Sequence, residues 1–353
     1  MQTKRIKLDV NDSNGWDMTE AIEIIRNGGL VAFPTETVYG LGGDAKNSEA
    51  SKKIYEAKGR PSDNPLIVHI HDFSELEEIA MEVPEDARVL NQAFWPGPLT
   101  MIVKKNEVIP LTTTGGLDTV AIRMPSHPIA RTFLTESNVM IAAPSANTSG
   151  RPSPTVADHV WEDLNGKIDC LIDGGSSDIG LESTIVDLSE GIPTILRPGF
   201  INKEMLEKAL GKEVRIDPGI LDQNAGKNIR PKAPGMRYKH YAPKGNLIIV
   251  EGQEDKVVSE INKLEKEAKK EGKKTGIIFT NEDKDKYSAD VLFAIGNRDD
   301  EDSIARNLYA ILRECDSKGI DAIFSESFNT PRIGQAIMNR LLKAAGHQVI
   351  NIE

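Results

Sequence analysis

Residues 30–57 read LVAFPTETVYGLGGDAKNSEASKKIYEA, and this stretch decides the fold. Leu30 to Phe33 is a compact apolar run bounded by Gly29 and Pro34, the pattern of a short buried strand. A loop bearing Gly40, Gly42 and Gly43 follows, and Ser48 to Ala57 has helical composition. The stretch is therefore a β-loop-α unit. Just upstream, Asp17 to Arg26 combines helical apolar spacing with early acids, and Gly28 and Gly29 suit its end.

The same alternation continues. Leu66 to Ile70, Leu99 to Val103, Val120 to Met124, Met140 to Ala143, Cys170 to Asp173, Thr184 to Leu188 and Thr194 to Leu196 read as strands. Helical stretches fall between them near Glu85 to Phe94, Pro128 to Thr135 and Val156 to Leu164. This predicts one α/β domain over residues 1–212. Residues 213–245, rich in Gly, Pro, Asn and Lys, read as an extended basic linker. Residues 246–353 again alternate strands and helices, which predicts a smaller doubly wound, Rossmann-like α/β domain.

A chain of 353 residues exceeds what one core usually organises, in agreement with two domains. No apolar run approaches a membrane span, and the N-terminus lacks a signal-peptide core, so a cytoplasmic location is expected. Cys170 and Cys315 have no disulfide or metal-ligand spacing and read as buried thiols. The net charge of -11 argues against stable nucleic-acid binding. Against that background, Gln223 to Val250 contains no acid and six cations, Lys227, Arg230, Lys232, Arg237, Lys239 and Lys244.

Several segments could carry chemistry. Lys58 and Arg60 flank Gly59 where a helix gives way to a Pro-bounded turn; they suit either a helix C-terminus or an anion. Arg123 alternates with apolar residues on a strand, so it needs either an internal carboxylate or an anionic ligand. His69 suits a hydrogen-bonded strand histidine, and Asn64 before Pro65 a turn. Residues 142–153, AAPSANTSGRPS, form a small, hydroxyl-rich loop after a strand, where α/β proteins place ligands. No nucleophile elbow or metal-binding cluster is visible. Cations, hydroxyls and glycines remain, an inventory suited to holding a polyphosphate and a carboxylate by positioning and charge.

Taken in order, PTETVYGLG at 34–42, AKGRPSDNPL at 57–66, VAIRMP at 120–125, APSANTSGRPSPT at 143–155, LESTIVD at 181–187 and LRPG at 196–199 resemble the YrdC-like family. With PGMRYKHYAP at 234–243 and a C-terminal α/β domain, the resemblance is to its two-domain L-threonylcarbamoyladenylate synthase form and spans nearly the whole chain. It implies a twisted, mixed α/β sheet with a concave active-site surface. It also implies a nucleotidyltransferase reaction: L-threonine, bicarbonate or CO2, and ATP give threonylcarbamoyl-AMP and pyrophosphate, the first step toward N6-threonylcarbamoyladenosine at position 37 of tRNA. The product would pass to downstream threonylcarbamoyl-transfer machinery.

Carried over by position, Thr37, His69, Arg123, Ala143 and Ser183 match threonine-contacting positions. Arg60, Asn64, Thr119, Ser145, Ser153 and Arg197 match ATP-contacting ones, and Asn147 completes a Ser-x-Asn pair beside them. Lys58 and Arg60 form the Lys-x-Arg pair implied to be catalytic, acting on the phosphates and the forming carbamate. Tyr241 matches a position that closes over ATP, which makes the basic linker a candidate lid. Mg2+ would enter on the ATP phosphates and not on protein side chains. Two rival readings are a double-stranded RNA-binding module, disfavoured by acidity, and a carbamoyl-transfer enzyme, whose zinc-binding and acylphosphatase modules are not visible here.

Overall fold

The computed structural model describes residues 2–221, 241–328 and 330–352. These fall into two compact units. One runs to Leu221 apart from Gly150–Pro152 and Ile179–Leu181; the other runs from Tyr241 onward and includes those two short stretches.

The first unit opens with β1 (Lys4–Lys7), α1 (Thr19–Arg26), β2 (Val31–Phe33), β3 (Gly40–Asp44), α2 (Ser48–Lys58) and β4 (Ile67–His69). Then come α3 (Phe73–Ile79), α4 (Glu85–Phe94), β5 (Leu99–Lys104), β6 (Thr119–Arg123), α5 (Pro128–Ser137) and β7 (Ile141–Ala142). It ends with α6 (Ala157–Leu164), β8 (Cys170–Asp173), β9 (Thr184–Asp187), β10 (Thr194–Arg197), α7 (Lys203–Leu210), β11 (Arg215–Ile216) and α8 (Pro218–Leu221). The strands form one mixed eleven-stranded sheet in the order β1-β8-β2-β3-β7-β4-β6-β5-β9-β10-β11. The first unit thus continues past residue 212, where composition placed the start of the linker: β11 pairs in parallel with β10. Of the linker and lid expected over residues 213–245, residues 222–240 lie outside the described residues.

The alternation of side chains along strands divides this sheet between two cores. Ala32, Leu41, Val68, Met101, Ile122, Ala142 and Val186 face a core shared with α2, α3, α4, α6 and α7. Val31, Phe33, Ile141, Cys170 and Ile172 face the other way and pack on α1 and α5. That second face continues across β4, β6, β5, β9 and β10 as a small apolar floor of Ile67, Ile102, Ala121, Ile185 and Leu196.

β3 was read from sequence as a loop because glycine weakens strands. Its glycines serve close approach instead. A Cβ on Gly42 would stand 2.6 Å from Ile141 Cγ2 and 3.1 Å from the Val31 carbonyl oxygen, so only glycine admits both neighbouring strands at that spacing.

The second unit contains β12 (Asn246–Gly252), α9 (Glu254–Lys270), β13 (Thr275–Phe279), β14 (Val291–Ala294), α10 (Glu301–Ser317), β15 (Ala322–Glu326), α11 (Gly334–Ala344) and β16 (Val349–Ile352). Its five strands are all parallel, in the order β14-β13-β15-β12-β16. Val257, Ile261 and Ala268 of α9 pack on Val250, Ile277, Phe279 and Phe324.

The carboxyl ends of β13 and β15 meet in a buried polar network. Glu326 Oε1 accepts from the Tyr287 hydroxyl at 2.8 Å, and Oε2 accepts from the Thr280 backbone N–H at 3.1 Å. Arg298 Nη2 donates to Asp283 Oδ2 at 2.6 Å and reaches Glu326 Oε2 at 3.4 Å. Burial and the neighbouring Asp283 push the Glu326 carboxyl up to about 7. The folded chain therefore holds a proton between about pH 4.5 and 7 that the unfolded chain releases, and stability falls as pH rises through that window. Glu326→Gln, which mimics the protonated form, should be more stable than the wild type at pH 8 and level with it near pH 5. Denaturant unfolding at the two pH values measures this, and equal curves at pH 8 would contradict it.

Candidate active site

The apolar floor carries a polar border because each floor residue has a same-face neighbour two positions along its strand. Ile67 leads to His69, Ala121 to Arg123 in one direction and Thr119 in the other, Ile102 back to Thr100, and Ile185 back to Ser183. Strand register then brings one end of this border together. His69 pairs with Arg123 across β4 and β6, Thr100 with Arg123 across β5 and β6, and Arg197 with Ile185 across β10 and β9.

Arg123 is the centre of the first group. It is 4% exposed, and its Nη1 donates to Thr37 Oγ1 at 2.8 Å. Thr37 Oγ1 in turn lies 2.9 Å from Thr35 Oγ1, which donates to the Val38 carbonyl. Glu36 Oε1 lies 2.7 Å from Arg123 Nη2 in an ion pair whose members are both buried. The approach is close in distance but lacks hydrogen-bond alignment. Of the two partners that sequence left open for Arg123, the structure contains the carboxylate. Burial pushes the Glu36 carboxyl up, but the Arg123 charge outweighs burial and holds it below the usual carboxylate range.

His69 is buried, places Nδ1 3.1 Å from the Ile67 carbonyl oxygen and meets Phe33 edge-on with ring centroids 5.9 Å apart. Burial first, and the Arg123 charge second, push its pKa down to about 3. The imidazole is neutral at physiological pH.

Ser183 links the next two residues. Its Oγ lies 2.7 Å from Thr100 Oγ1, while Arg197 Nη2 donates to that Oγ at 3.1 Å and Arg197 Nε donates to the Ser183 carbonyl at 3.0 Å. Beside it, Ser153 Oγ donates to Glu182 Oε1 at 2.5 Å. Thr100, Glu36 and Glu182 were not singled out from sequence. Glu36 and Glu182 lie inside motifs quoted above, and strand alternation relative to Ile102 was the available signal for Thr100.

The second group gathers around Lys58. Asn47 caps the start of α2, and Gly59, at φ 61°, ends it in the left-handed conformation. That turn fixes where Lys58 and Arg60 leave the helix. The Lys58 ammonium is buried and donates to the Ser145 carbonyl at 2.5 Å and to the Asn147 carbonyl. Ser145 Oγ donates to Asn147 Oδ1 at 2.5 Å. Lys58 thus clamps the 145–147 loop, a role that spacing did not suggest. Arg60 Nη2 donates to the Pro65 carbonyl at 3.2 Å. Asn64 is buried with Oδ1 unpartnered, an acceptor that needs a donor from elsewhere.

Backbone pairing ties the groups to one frame. Leu41 N–H donates to the Pro144 carbonyl, Ala146 N–H to the Tyr39 carbonyl and Ala143 N–H to the Ile67 carbonyl. Thr119, at the start of β6, lies at the opposite end of that strand from Arg123. Tyr241 belongs to the second unit, where its ring packs 5.1 Å from that of Tyr309. Both cysteines are buried thiols pushed up to about 12 by burial, which makes them poor nucleophiles.

This fold, with this border of arginines and hydroxyls, defines a class. A family model described as Telomere recombination, covering Sua5, YciO and YrdC proteins, matches residues 23–199. A second, described as Threonylcarbamoyl-AMP synthase, C-terminal domain, matches residues 201–346. The chain is 51% identical over 338 residues to the threonylcarbamoyl-AMP synthase of Pyrococcus abyssi, covering 96% of each. It is 48% identical over 354 residues to that of Bacillus subtilis, covering 99% of this chain and 100% of the relative. The crystal structure of P. abyssi Sua5 complexed with L-threonine matches with a TM-score of 0.91 at 49% identity, covering 100% of this chain and 99% of that one. The chain belongs to the threonylcarbamoyl-AMP synthase family. No helix among the described residues is long and apolar enough to cross a membrane.

The depressed His69 pKa has a consequence for stability. Between about pH 6.5 and 3 the unfolded chain binds a proton at this residue that the folded chain does not, so its contribution is present above pH 6.5 and lost on acidification. The loss approaches ~1.4 kcal/mol per pH unit within that window. His69→Gln should flatten the decline in unfolding free energy between pH 7 and 5; a slope equal to that of the wild type would show that His69 titrates normally.

Proposed function

We propose that this chain joins L-threonine, bicarbonate or CO2, and ATP into threonylcarbamoyl-AMP with release of pyrophosphate, as the first step toward the threonylcarbamoyl modification of tRNA adenosine 37. The observation that carries the reading is the buried Arg123, aligned with Thr37 and His69 at one end of β6, whose other end carries Thr119, with the 145–147 loop following β7 nearby. One end suits a small amino acid, the other a nucleotide.

In this reading the threonine carboxylate pairs with Arg123, and Thr37, His69, Ser183 and the Ala143 backbone bind the rest of the amino acid. A neutral His69 can meet a hydroxyl without repelling the neighbouring guanidinium. The freed amine takes up CO2 as a carbamate, whose oxygen attacks the α-phosphorus while pyrophosphate leaves in line. Arg60, Asn64, Thr119, Ser145, Asn147, Ser153 and Arg197 hold the nucleotide, and the unpartnered Asn64 Oδ1 supplies a buried acceptor for a donor on it. Arg197, bonded to Ser183, joins the two halves.

Lys58 acts on the nucleotide through the loop it clamps, and Arg60 supplies charge to the phosphates. Mg2+ is read as arriving on ATP, whose phosphate charge it offsets, and not on protein side chains. The reaction is assigned to the cytoplasm, with the product passed to threonylcarbamoyl-transfer machinery.

The test is incubation of the full chain with ATP, Mg2+, bicarbonate and one amino acid at a time, following pyrophosphate release and the adenylate by mass spectrometry. Threonine should give product, and its failure to do so would sink the reading. Arg60→Ala should lower kcat/KM by ~10²-fold or more, the scale seen when a preorganised charge on a reacting group is removed. Lys58→Ala should lose activity with a raised KM for ATP, because the 145–147 loop is released.

A further inference from the structure

Arginine carries a long side chain with many rotamers, yet a carboxylate receptor has to present its N–H groups in one plane. Three groups restrain Arg123. Thr37 Oγ1 accepts from Nη1 at 2.8 Å, the Gly97 carbonyl accepts from Nε at 3.4 Å, and Glu36 Oε1 stands 2.7 Å from Nη2. The Gly97 contact is at the limit of hydrogen-bond length, and the Thr37 hydroxyl is shared with Thr35. Glu36 is the only one of the three that bears charge. With Glu36 5% and Arg123 4% exposed, their attraction is little screened by water or salt.

We propose that Glu36 is the positioning residue for Arg123: its carboxylate fixes the guanidinium plane, so that the N–H groups not turned toward Glu36, Thr37 and Gly97 face the carboxylate of the amino acid. The inference rests on the assignment of Arg123 to threonine made above. Glu36 touches no substrate and acts only through the arginine. Its place in the chain supports the role. Glu36 lies directly between Thr35 and Thr37, so one tight segment, itself bonded from Thr35 Oγ1 to the Val38 carbonyl, delivers both the charged and the neutral restraint.

The test is steady-state kinetics on the full chain, with threonine and ATP varied separately, for the wild type, Glu36→Ala and Glu36→Gln. Glu36→Ala should raise the KM for threonine by ~10-fold or more while leaving the KM for ATP within ~2-fold, as expected when an interaction with one substrate alone is weakened. Glu36→Gln keeps an oxygen at the same reach but loses the charge, and its threonine KM should stay within ~3-fold of that of the alanine variant. A wild-type threonine KM in Glu36→Ala or in Glu36→Gln, or equal losses toward both substrates, would each overturn the proposal.

Should the alanine variant fail to fold, Glu36→Asp takes its place. It keeps the charge but withdraws it by one methylene, so the charge predicts a lower threonine KM for the aspartate than for the glutamine variant, and the reverse order overturns it. A wild-type enzyme that makes no product with threonine removes the underlying reading and this proposal together. Failure in the variants alone removes only the proposal.

Discussion

A buried guanidinium has to be compensated, and much of the first unit's architecture answers that constraint. Arg123 ends a strand that lies between β4 and β5 deep in an eleven-stranded sheet. An unpaired charge there would be strongly unfavourable. Glu36 and Thr37, which meet it, come from the loop joining β2 and β3, two strands that lie on the far side of β7 and β4 in the sheet. The loop has to cross those strands to reach its partner. The glycines of β3 let the sheet close tightly enough to hold that path, and the backbone pairing of residues 39–41 with residues 144–146 fastens its other end.

Lys58 poses the same problem and receives a different answer. Its ammonium donates to the Ser145 and Asn147 carbonyl oxygens of the 145–147 loop. The loop gains a fixed conformation within a region proposed to receive phosphates. The Arg123 region, with Glu36 beside the guanidinium, is nearly neutral, as suits a zwitterionic amino acid.

Much of this was legible in the sequence. The apolar runs marked most strands, and the ends of α4 fell where composition placed them. What escaped has physical reasons. β3 was hidden because its glycines are selected by neighbouring strands distant in sequence, which no local propensity reports. β1, α3, α7, β11 and β16 are short or weakly patterned and depend on their neighbours. Strand order was not legible, since pairing β3 with β7 or β5 with β9 is a property of the assembled sheet. For the same reason Arg123 read equally well as the partner of an acid or of a ligand. Its acid, Glu36, is 87 positions away in the chain and lies within a motif noticed for its hydroxyls and glycines.

The length of β6 has its own consequence. Thr119 and Arg123 stand on the same face four residues apart, so at ~3.3 Å per residue the strand spaces them by ~13 Å. In the proposed reading one marks the nucleotide end and the other the amino-acid end, and β6 is then a ruler for the molecule assembled between them. A ruler made of a β-strand is graduated in steps of two. Losing or gaining one residue would turn one of the two marks to the opposite face, so that evolution could adjust this reach only in pairs of residues or by rebuilding the loops at either end.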